Sequence, residues 1–233
     1  MSLSNTGKLI GGLFLLQILG GIFLNFFFME PFKVPFASMD IAALSRTLGM
    51  ATLLSLTLVS VNLVIGAIGY QLFKGSHPLH SLLMLTFAIL AVGLTAVECN
   101  QLGQMVALVS QLKAENVQSL DVGMELLRKS LAFGRNETHF MAIFLSSFSL
   151  LLFYALLYCA SLLPRWLMGF ANLACVLQLI AMGSTFFQGQ VLVLLQLPLL
   201  LTQIAVPVYL IVNGIPLPAT TEPTTPMPMT ERC

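Results

Sequence analysis

The sequence predicts an all-α integral membrane protein, a polytopic transmembrane helical bundle with six spans. Six long apolar runs, separated by short polar segments, fill most of the 233 residues. Hydrophobic residues make up 58% of the chain and charged residues 8%, whereas a soluble domain contains about a quarter charged residues. The mean hydropathy of +0.94 also indicates a membrane protein. A chain this poor in charge has too little polar surface to face water on all sides.

A helix needs about 20 residues to cross the hydrocarbon core of a bilayer. The apolar runs that meet this length define one membrane domain over residues 1–215, followed by a Pro/Thr-rich tail over 216–233 that we expect to be disordered. The predicted spans are residues 9–28, 46–73, 79–112, 139–163, 167–187 and 191–212.

The first span is interrupted only by Gln17 and Asn25 and continues into Phe26–Phe28 without a small-residue cleavage site, so we expect it to be retained. The second and third spans are separated by a tight turn over 74–78, in which glycine ends one helix and Pro78 begins the next. A three-residue connector, 164–166, makes spans four and five antiparallel neighbours. In the sixth span, Pro198 and Pro207 each remove a backbone donor and predict kinks.

The largest polar segment lies between spans three and four, over residues 113–136. Leu120, Met124, Leu127 and Leu131 recur in it at helical spacing, with charged residues on the other faces. This pattern predicts an amphipathic helix that lies on the membrane surface. A cap that covers one end of the bundle is the alternative.

Glu98 is the most informative polar residue, because it is the only acidic residue deep inside an apolar run. Ionisable residues inside a membrane are costly and are therefore functional candidates. Gln101 and Gln104 follow it on one side of the third span. Such a stripe can line a hydrated cavity or join helices by hydrogen bonds. If the membrane covers residues 82–101 instead, Glu98 lies one turn from the interface. A cavity site would be supported by Asn62 or Gln203 next to Glu98.

The sequence predicts neither a catalytic group nor a metal or cofactor site. His77 and His80 have a spacing that could bind a metal, but Pro78 between them indicates a turn. His139 is interpreted as an interfacial residue at the start of span four. The span-four serines Ser146, Ser147 and Ser149 have no G-x-S-x-G or S-x-x-K context, so a hydrolase is unsupported.

The order of several short motifs resembles a bacterial family, the domain of unknown function 4386. They are the glycine-rich openings 11–16 and 20–23, Arg46 with 48–49, the connector 163–169, and the closing segment 210–214. The connector is similar to the family's Pro-Arg-x-Leu-Gly link, and the closing segment is similar to its Leu-x-x-Lys-Gly ending. The chain departs from the family where an Arg is common in span three and where Gln203 stands in place of a Glu. The resemblance implies a six-helix membrane protein without an established activity.

Three functions stay open. The first is an integral membrane protein that binds a ligand or a partner subunit through an intramembrane polar pocket. The second is a small transporter that uses the polar stripe on span three, and the third, unsupported by any motif, is a membrane-embedded enzyme. The expected partners are membrane lipids and a membrane-protein partner or a second copy of the chain. The net charge of +1 gives no basic field for nucleic acid.

An even number of spans puts both termini on the same side of the membrane. Counting Lys and Arg gives four residues on the terminal side and six on the other, and the positive-inside rule would then place the termini outside. The family resemblance is taken to imply the opposite orientation, with both termini in the cytoplasm of a bacterial cell and the domain in its inner membrane.

Overall fold

The computed structural model describes residues 3–28, 40–115, 122–188 and 191–215. Within these ranges the chain forms six long helices, all of them long and apolar enough to cross a membrane, which confirms the all-α bundle with six spans. The helices are α1 (Leu3–Phe23, followed by a π-helical turn over Leu24–Phe28), α2 (Ile41–Phe73), α3 (Pro78–Ala114), α4 (Val122–Cys159), α5 (Arg165–Gln188) and α6 (Leu197–Asn213). The predicted tail over 216–233 lies outside the described residues.

Local sequence explains where several helices begin and end. The carboxylate of Asp40 caps α2 by accepting hydrogen bonds from the backbone of Ala42 and Ala43, at 2.9 and 3.4 Å. Pro78 opens α3 in the first turn, where its missing N–H costs nothing. Gly214 ends α6 with a φ of 66°, a backbone conformation that glycine adopts without strain.

The segment predicted as a surface helix is helical but does not form a separate element. Its described part from Val122 onward is the first third of α4, which runs without interruption into span four. The residues from Val122 to His139 include no proline, so nothing in the local sequence stops the helix there. Its position at the membrane surface stays a prediction.

The two prolines of the sixth span have different positions. A short 3₁₀ turn, Val193–Gln196, precedes α6, so Pro198 falls in the first turn of the helix rather than in its interior. The kink predicted at Pro198 is therefore wrong, because the first-turn N–H has no helical partner to lose. Pro207 does lie inside the helix.

The helices form a ring in chain order. Each described helix packs against the next, and α1 packs against α6 to close the ring. The α1–α6 contact is very close, because a Cβ on Gly11 would stand 2.7 Å from the carbonyl oxygen of Pro207. Gly7 makes a similarly close approach to Ile215, so the two described ends of the chain lie together.

The largest apolar core fills one half of this ring, and two smaller apolar clusters, which include Val106 and Leu102, lie toward the other end. The main core cluster includes Phe14, Phe153, Tyr154 and Leu210 and lies toward the short α2–α3 and α4–α5 links. The ring of Phe14 lies 5.7 Å from that of Phe153, centroid to centroid. Many large apolar side chains face outward instead, such as Leu53 at 70% exposure, as expected for a surface in contact with lipid. The other half of the ring encloses a cavity.

Candidate functional site: a polar cavity inside the helix ring

The cavity has a volume of about 300 Å³ and is lined by all six helices. This is at the lower end of the range of about 300–1,000 Å³ that is typical of small-molecule sites. Its lining is unusually polar for the interior of a membrane bundle. The polar residues that line it include Gln17, Asn25, Thr52, Ser55, Asn62, Thr95, Glu98, Arg135, His139, Gln178 and Gln203.

The helical period explains how α1 presents polar groups to the cavity. Gln17, Gly21 and Asn25 are four residues apart, so they lie on one face of the helix. The amide of Asn25 also donates a hydrogen bond to the carbonyl oxygen of Gly21, at 2.9 Å. The two polar residues that interrupt the first apolar run therefore face the same space.

Glu98 lies at one end of the cavity in a three-residue cluster with Arg135 and His139. Nη2 of Arg135 donates to Oε1 of Glu98 at 2.6 Å, and Nδ1 of His139 lies 3.0 Å from Oε2. An ionised carboxylate only accepts hydrogen bonds, so this contact is a hydrogen bond in the tautomer of His139 that has its proton on Nδ1. Both carboxylate oxygens are engaged, and the Glu98 side chain is only 12% exposed.

The geometry of α4 sets up this cluster. Arg135 and His139 are four residues apart, which places them one above the other on the same helix face. The extensive packing of α3 against α4 brings that face to Glu98. Glu98 therefore joins two helices and also lines the cavity.

The cluster lies far from the short-link end of the bundle. At 1.5 Å per residue, Glu98 is about 30 Å along α3 from Pro78, and His139 is about 30 Å along α4 from Cys159. The whole of α5 is about 36 Å long on the same rule. Glu98 is thus level with the last turns of α5. A hydrocarbon core of about 30 Å that began at the short links would end at this level, so a position of Glu98 in the cavity is compatible with one near the interface. The position of the membrane along the bundle stays a prediction.

Amide side chains lie deeper, near the middle of the bundle. Counted along their helices from the short-link end, Asn62, Gln178 and Gln203 lie about 15–20 Å in. Gln178 is 6% exposed, and its carbonyl oxygen has no hydrogen-bond partner in the part of the chain that the structure describes. Pro207 lacks the N–H that would normally bind the backbone carbonyl of Gln203. The deep part of the cavity therefore contains at least one buried acceptor, on Gln178, that has no partner among the described residues.

The structure brings together only some of the predicted site residues. Glu98, Asn62 and Gln203 line the same cavity. Gln101 and Gln104 do not line it. The amide nitrogen of Gln101 lies 3.6 Å from where a Cβ on Gly134 of α4 would stand, and Gln104 is exposed. Each step of three residues turns the side chain by about 60°, so the stripe leaves the cavity face after Glu98. A functional role for these residues stays a prediction.

Sequence reasoning missed Arg135, His139 and Gln178. His139 contacts the carboxylate of Glu98, which the sequence did not predict, while its interfacial position stays a prediction. A signal was present, since a basic residue and a histidine four apart at the head of an apolar run need an acidic partner if they are buried. The sequence signal for Gln178 was weaker, because a single amide in an apolar helix is common at helix–helix contacts.

The cavity can hold a small polar group by hydrogen bonds. Amide side chains supply both donors and acceptors, and hydroxyl groups supply more. The charges nearly cancel, because Glu98 is paired with Arg135. Among the described residues, no group of three His, Cys, Asp or Glu side chains is placed to hold a metal ion.

Fold and cavity together define a six-span helical membrane protein with a polar intramembrane cavity. The family model described as "Domain of unknown function (DUF4386)" matches residues 9–214. The chain belongs to this family, which confirms the resemblance found in the sequence. Neither a curated protein nor a solved structure matches the chain.

Proposed function

We propose that the chain is a membrane-embedded binding protein whose cavity holds the polar part of a small ligand. The observation that carries the proposal is the polar lining itself, with thirteen Asn, Gln, Ser, Thr, Glu, Arg and His side chains from six helices around about 300 Å³. A buried polar group without a partner costs about 1–3 kcal/mol. A bundle selected only for stability would fill this space with apolar side chains.

The filled half of the ring supports binding over free passage. Phe14 lines the cavity and also packs on Phe153 and Tyr154 of the apolar core. The core therefore forms a floor beneath the cavity. A ligand that reaches the amides meets a closed end, which is the arrangement of a binding pocket.

Gln178 offers a direct test. Gln178→Leu removes the carbonyl oxygen that has no partner among the described residues, so we expect a stability gain of about 1 kcal/mol together with loss of ligand. Asn172→Leu is the matched control, because Asn172 lies on the same helix and also has a buried, unpartnered side-chain oxygen within the described chain. Asn172 does not line the cavity.

The measurement is mass spectrometry of small molecules extracted from the purified protein, with the thermal midpoint recorded in parallel. We expect a molecule that copurifies with the parent chain and with Asn172→Leu but is lost from Gln178→Leu. Identical extracts from all three proteins would contradict the proposal. Loss from both variants would assign the effect to general disturbance of α5.

A second candidate is a small proton-coupled transporter. It is favoured by the contact between Glu98 and His139, since such a pair can exchange a proton, and by Pro207 inside α6, since broken helices are common at transport sites. In proteoliposomes with a trapped pH-sensitive dye, we expect proton flux under an imposed pH gradient to be lost in Glu98→Gln. Equal flux in both proteins would remove this candidate.

We further propose that the domain lies in a bacterial inner membrane with both termini in the cytoplasm. Lys74 and Arg165 lie at the two short links of the terminal end and support this orientation. The full count of Lys and Arg, four on this side and six on the other, favours the opposite orientation, so the proposal also depends on the family resemblance. Gly75→Cys tests the orientation, because a Cβ there would meet no described atom within 4 Å. An impermeant thiol reagent applied to intact cells should leave this residue unlabelled, and labelling would reverse the orientation.

A further inference from the structure

The cavity continues sideways between α1 and α6. A second hollow of about 360 Å³ is lined, among the described residues, by α1, the π-helical turn that follows it, and α6. It shares five lining residues with the central cavity, namely Phe14, Gln17, Gly21, Asn25 and Gln203. The two spaces therefore meet along the gap between α1 and α6.

The shape of this gap follows from the residues along α1. At one end, Gly7 and Gly11 let α1 approach the backbone of α6 closely. At the other end, Ile18, Ile22 and Phe26 line the hollow. Bulky side chains keep helices farther apart than glycines do, so the pair opens toward the end of the bundle where Glu98 lies.

The hollow is lined by both polar and apolar side chains. Gln17 and Gln203 carry amides and are partly buried, and Asn25 carries an amide that is exposed. Ile22, Phe26 and Leu200 are apolar and between 45% and 72% exposed. Outward-facing apolar side chains of a membrane helix contact lipid chains. The hollow thus connects the hydrocarbon of the bilayer with the amides of the cavity.

We propose that the ligand is an uncharged amphiphile that reaches the cavity from the bilayer through the gap between α1 and α6. This inference rests on the proposed binding function and specifies its ligand class. The hydrogen-bonding headgroup lies among the amides and hydroxyls of the cavity, and the apolar chain lies in the hollow against Ile22, Phe26 and Leu200.

Charge and desolvation favour an uncharged headgroup. The carboxylate of Glu98 is already bound to Arg135 and His139, and the deeper polar residues are neutral amides and hydroxyls. An ion moved to this depth would lose its hydration without gaining a counter-charge. A neutral headgroup with hydroxyl or carbonyl oxygens loses little hydration free energy, because the amides replace its hydrogen bonds to water.

Gly21 gives a clean way to close the gap. It lines both spaces, and a Cβ on it would meet no described atom within 4 Å, so Gly21→Leu fills space without forcing the backbone apart. Gly12→Leu is the matched control, since Gly12 lies on the same helix with the same open surroundings and lines neither space.

The probe is a monoacylglycerol with a photoreactive diazirine in its chain, added to the full-length protein in lipid nanodiscs. Cross-linked peptides are identified by mass spectrometry, and unlabelled monoacylglycerol competes. We expect saturable labelling of the hollow-lining parts of α1 and α6. Gly21→Leu should lower it about tenfold, which corresponds to 1.4 kcal/mol of affinity, and Gly12→Leu should match the parent chain.

The other possible labelling results distinguish the lateral route from the proposed binding function. Unchanged saturable labelling in Gly21→Leu would overturn the lateral route, and if Gln178→Leu still abolished it, the binding function would stand. If labelling is lost in Gly21→Leu but retained in Gln178→Leu, the amphiphile binds in the hollow and the polar site is refuted. Even, non-saturable labelling of all lipid-facing helices would overturn the inference. The proposed binding function would then be tested only by the mass spectrometry of copurified molecules.

Discussion

The ion pair between Glu98 and Arg135 should contribute measurably to the stability of the bundle. Their side chains are only 12% and 20% exposed, and the N–O distance is 2.6 Å. Hydrogen bonds to charged groups contribute about 1.5–3 kcal/mol. Both side chains keep some exposure, so the lower half of this range applies. We expect Glu98→Gln and Arg135→Gln each to lower the free energy of unfolding by about 2 kcal/mol.

The double variant separates the pair interaction from other effects. Once one charge is gone, the second substitution removes an uncompensated charge and should cost little. We therefore expect a coupling energy of about 1–2 kcal/mol between the two sites. The assay is reversible unfolding by sodium dodecyl sulfate in mixed micelles, followed by far-ultraviolet circular dichroism.

The chain offers a comparison pair on α4. Glu125 and Arg128 also form a close ion pair, at 2.8 Å, but their side chains are 33% and 24% exposed and lie one turn apart on a single helix. Exposed pairs contribute little, because water screens them. The same set of two single variants and one double variant, made at Glu125 and Arg128, should give a clearly smaller coupling energy. If the coupling between Glu98 and Arg135 is no larger than that of the comparison pair, the assignment of Glu98 as a partly buried, interhelical anchor is refuted.

Two further predictions concern helix contacts and use the same unfolding assay. Gly11→Ala should destabilise the bundle by about 1–3 kcal/mol, since its Cβ would stand 2.7 Å from a backbone oxygen of α6. Gly12→Ala should be neutral or stabilising by up to about 1 kcal/mol, since its surroundings are open and alanine favours the helix. Equal effects would show that α1 and α6 do not pack at Gly11. Ser149→Ala should cost about 0.6 kcal/mol, because its hydroxyl donates to a carbonyl of α3. Ser147→Ala, which is equally buried but bonds within its own helix, should cost less, and the reverse order would contradict the interhelical bond.

The six spans could be predicted because the bilayer imposes a one-dimensional rule on the sequence. Every backbone polar group in hydrocarbon must be satisfied within a helix, so length and hydropathy suffice to find the spans. The surface helix was drawn as a separate element because its charges suggested a boundary near Asn136. Charge does not stop a helix, and α4 continues through that point.

The cavity could be predicted only in part, because its residues come from different helices. Glu98 was evident as an acidic residue in an apolar run. Its contact with Arg135 joins residues that are 37 positions apart, and this contact depends on how far α3 is shifted along α4. One sequence contains no measure of that shift. The same reason explains why Gln101, although close to Glu98 along the helix, faces α4 rather than the cavity.

The unequal filling of the two halves of the ring is the strongest argument that the cavity serves a function. Near the short links, small and apolar residues pack so closely that Gly7 and Gly11 have no room for a Cβ. The other half keeps a cavity with a buried amide oxygen, on Gln178, that has no partner among the described residues. Leucine at that position would give a more stable helix pair. Tyr154 and Asn172 in the filled half also have buried oxygens without a partner among the described residues, but neither side chain lines the cavity. Gln178 does line it, so a ligand in the cavity can supply the partner that its oxygen lacks. Because this amide is neutral and the space opens toward lipid between α1 and α6, the missing partner is best supplied from within the membrane.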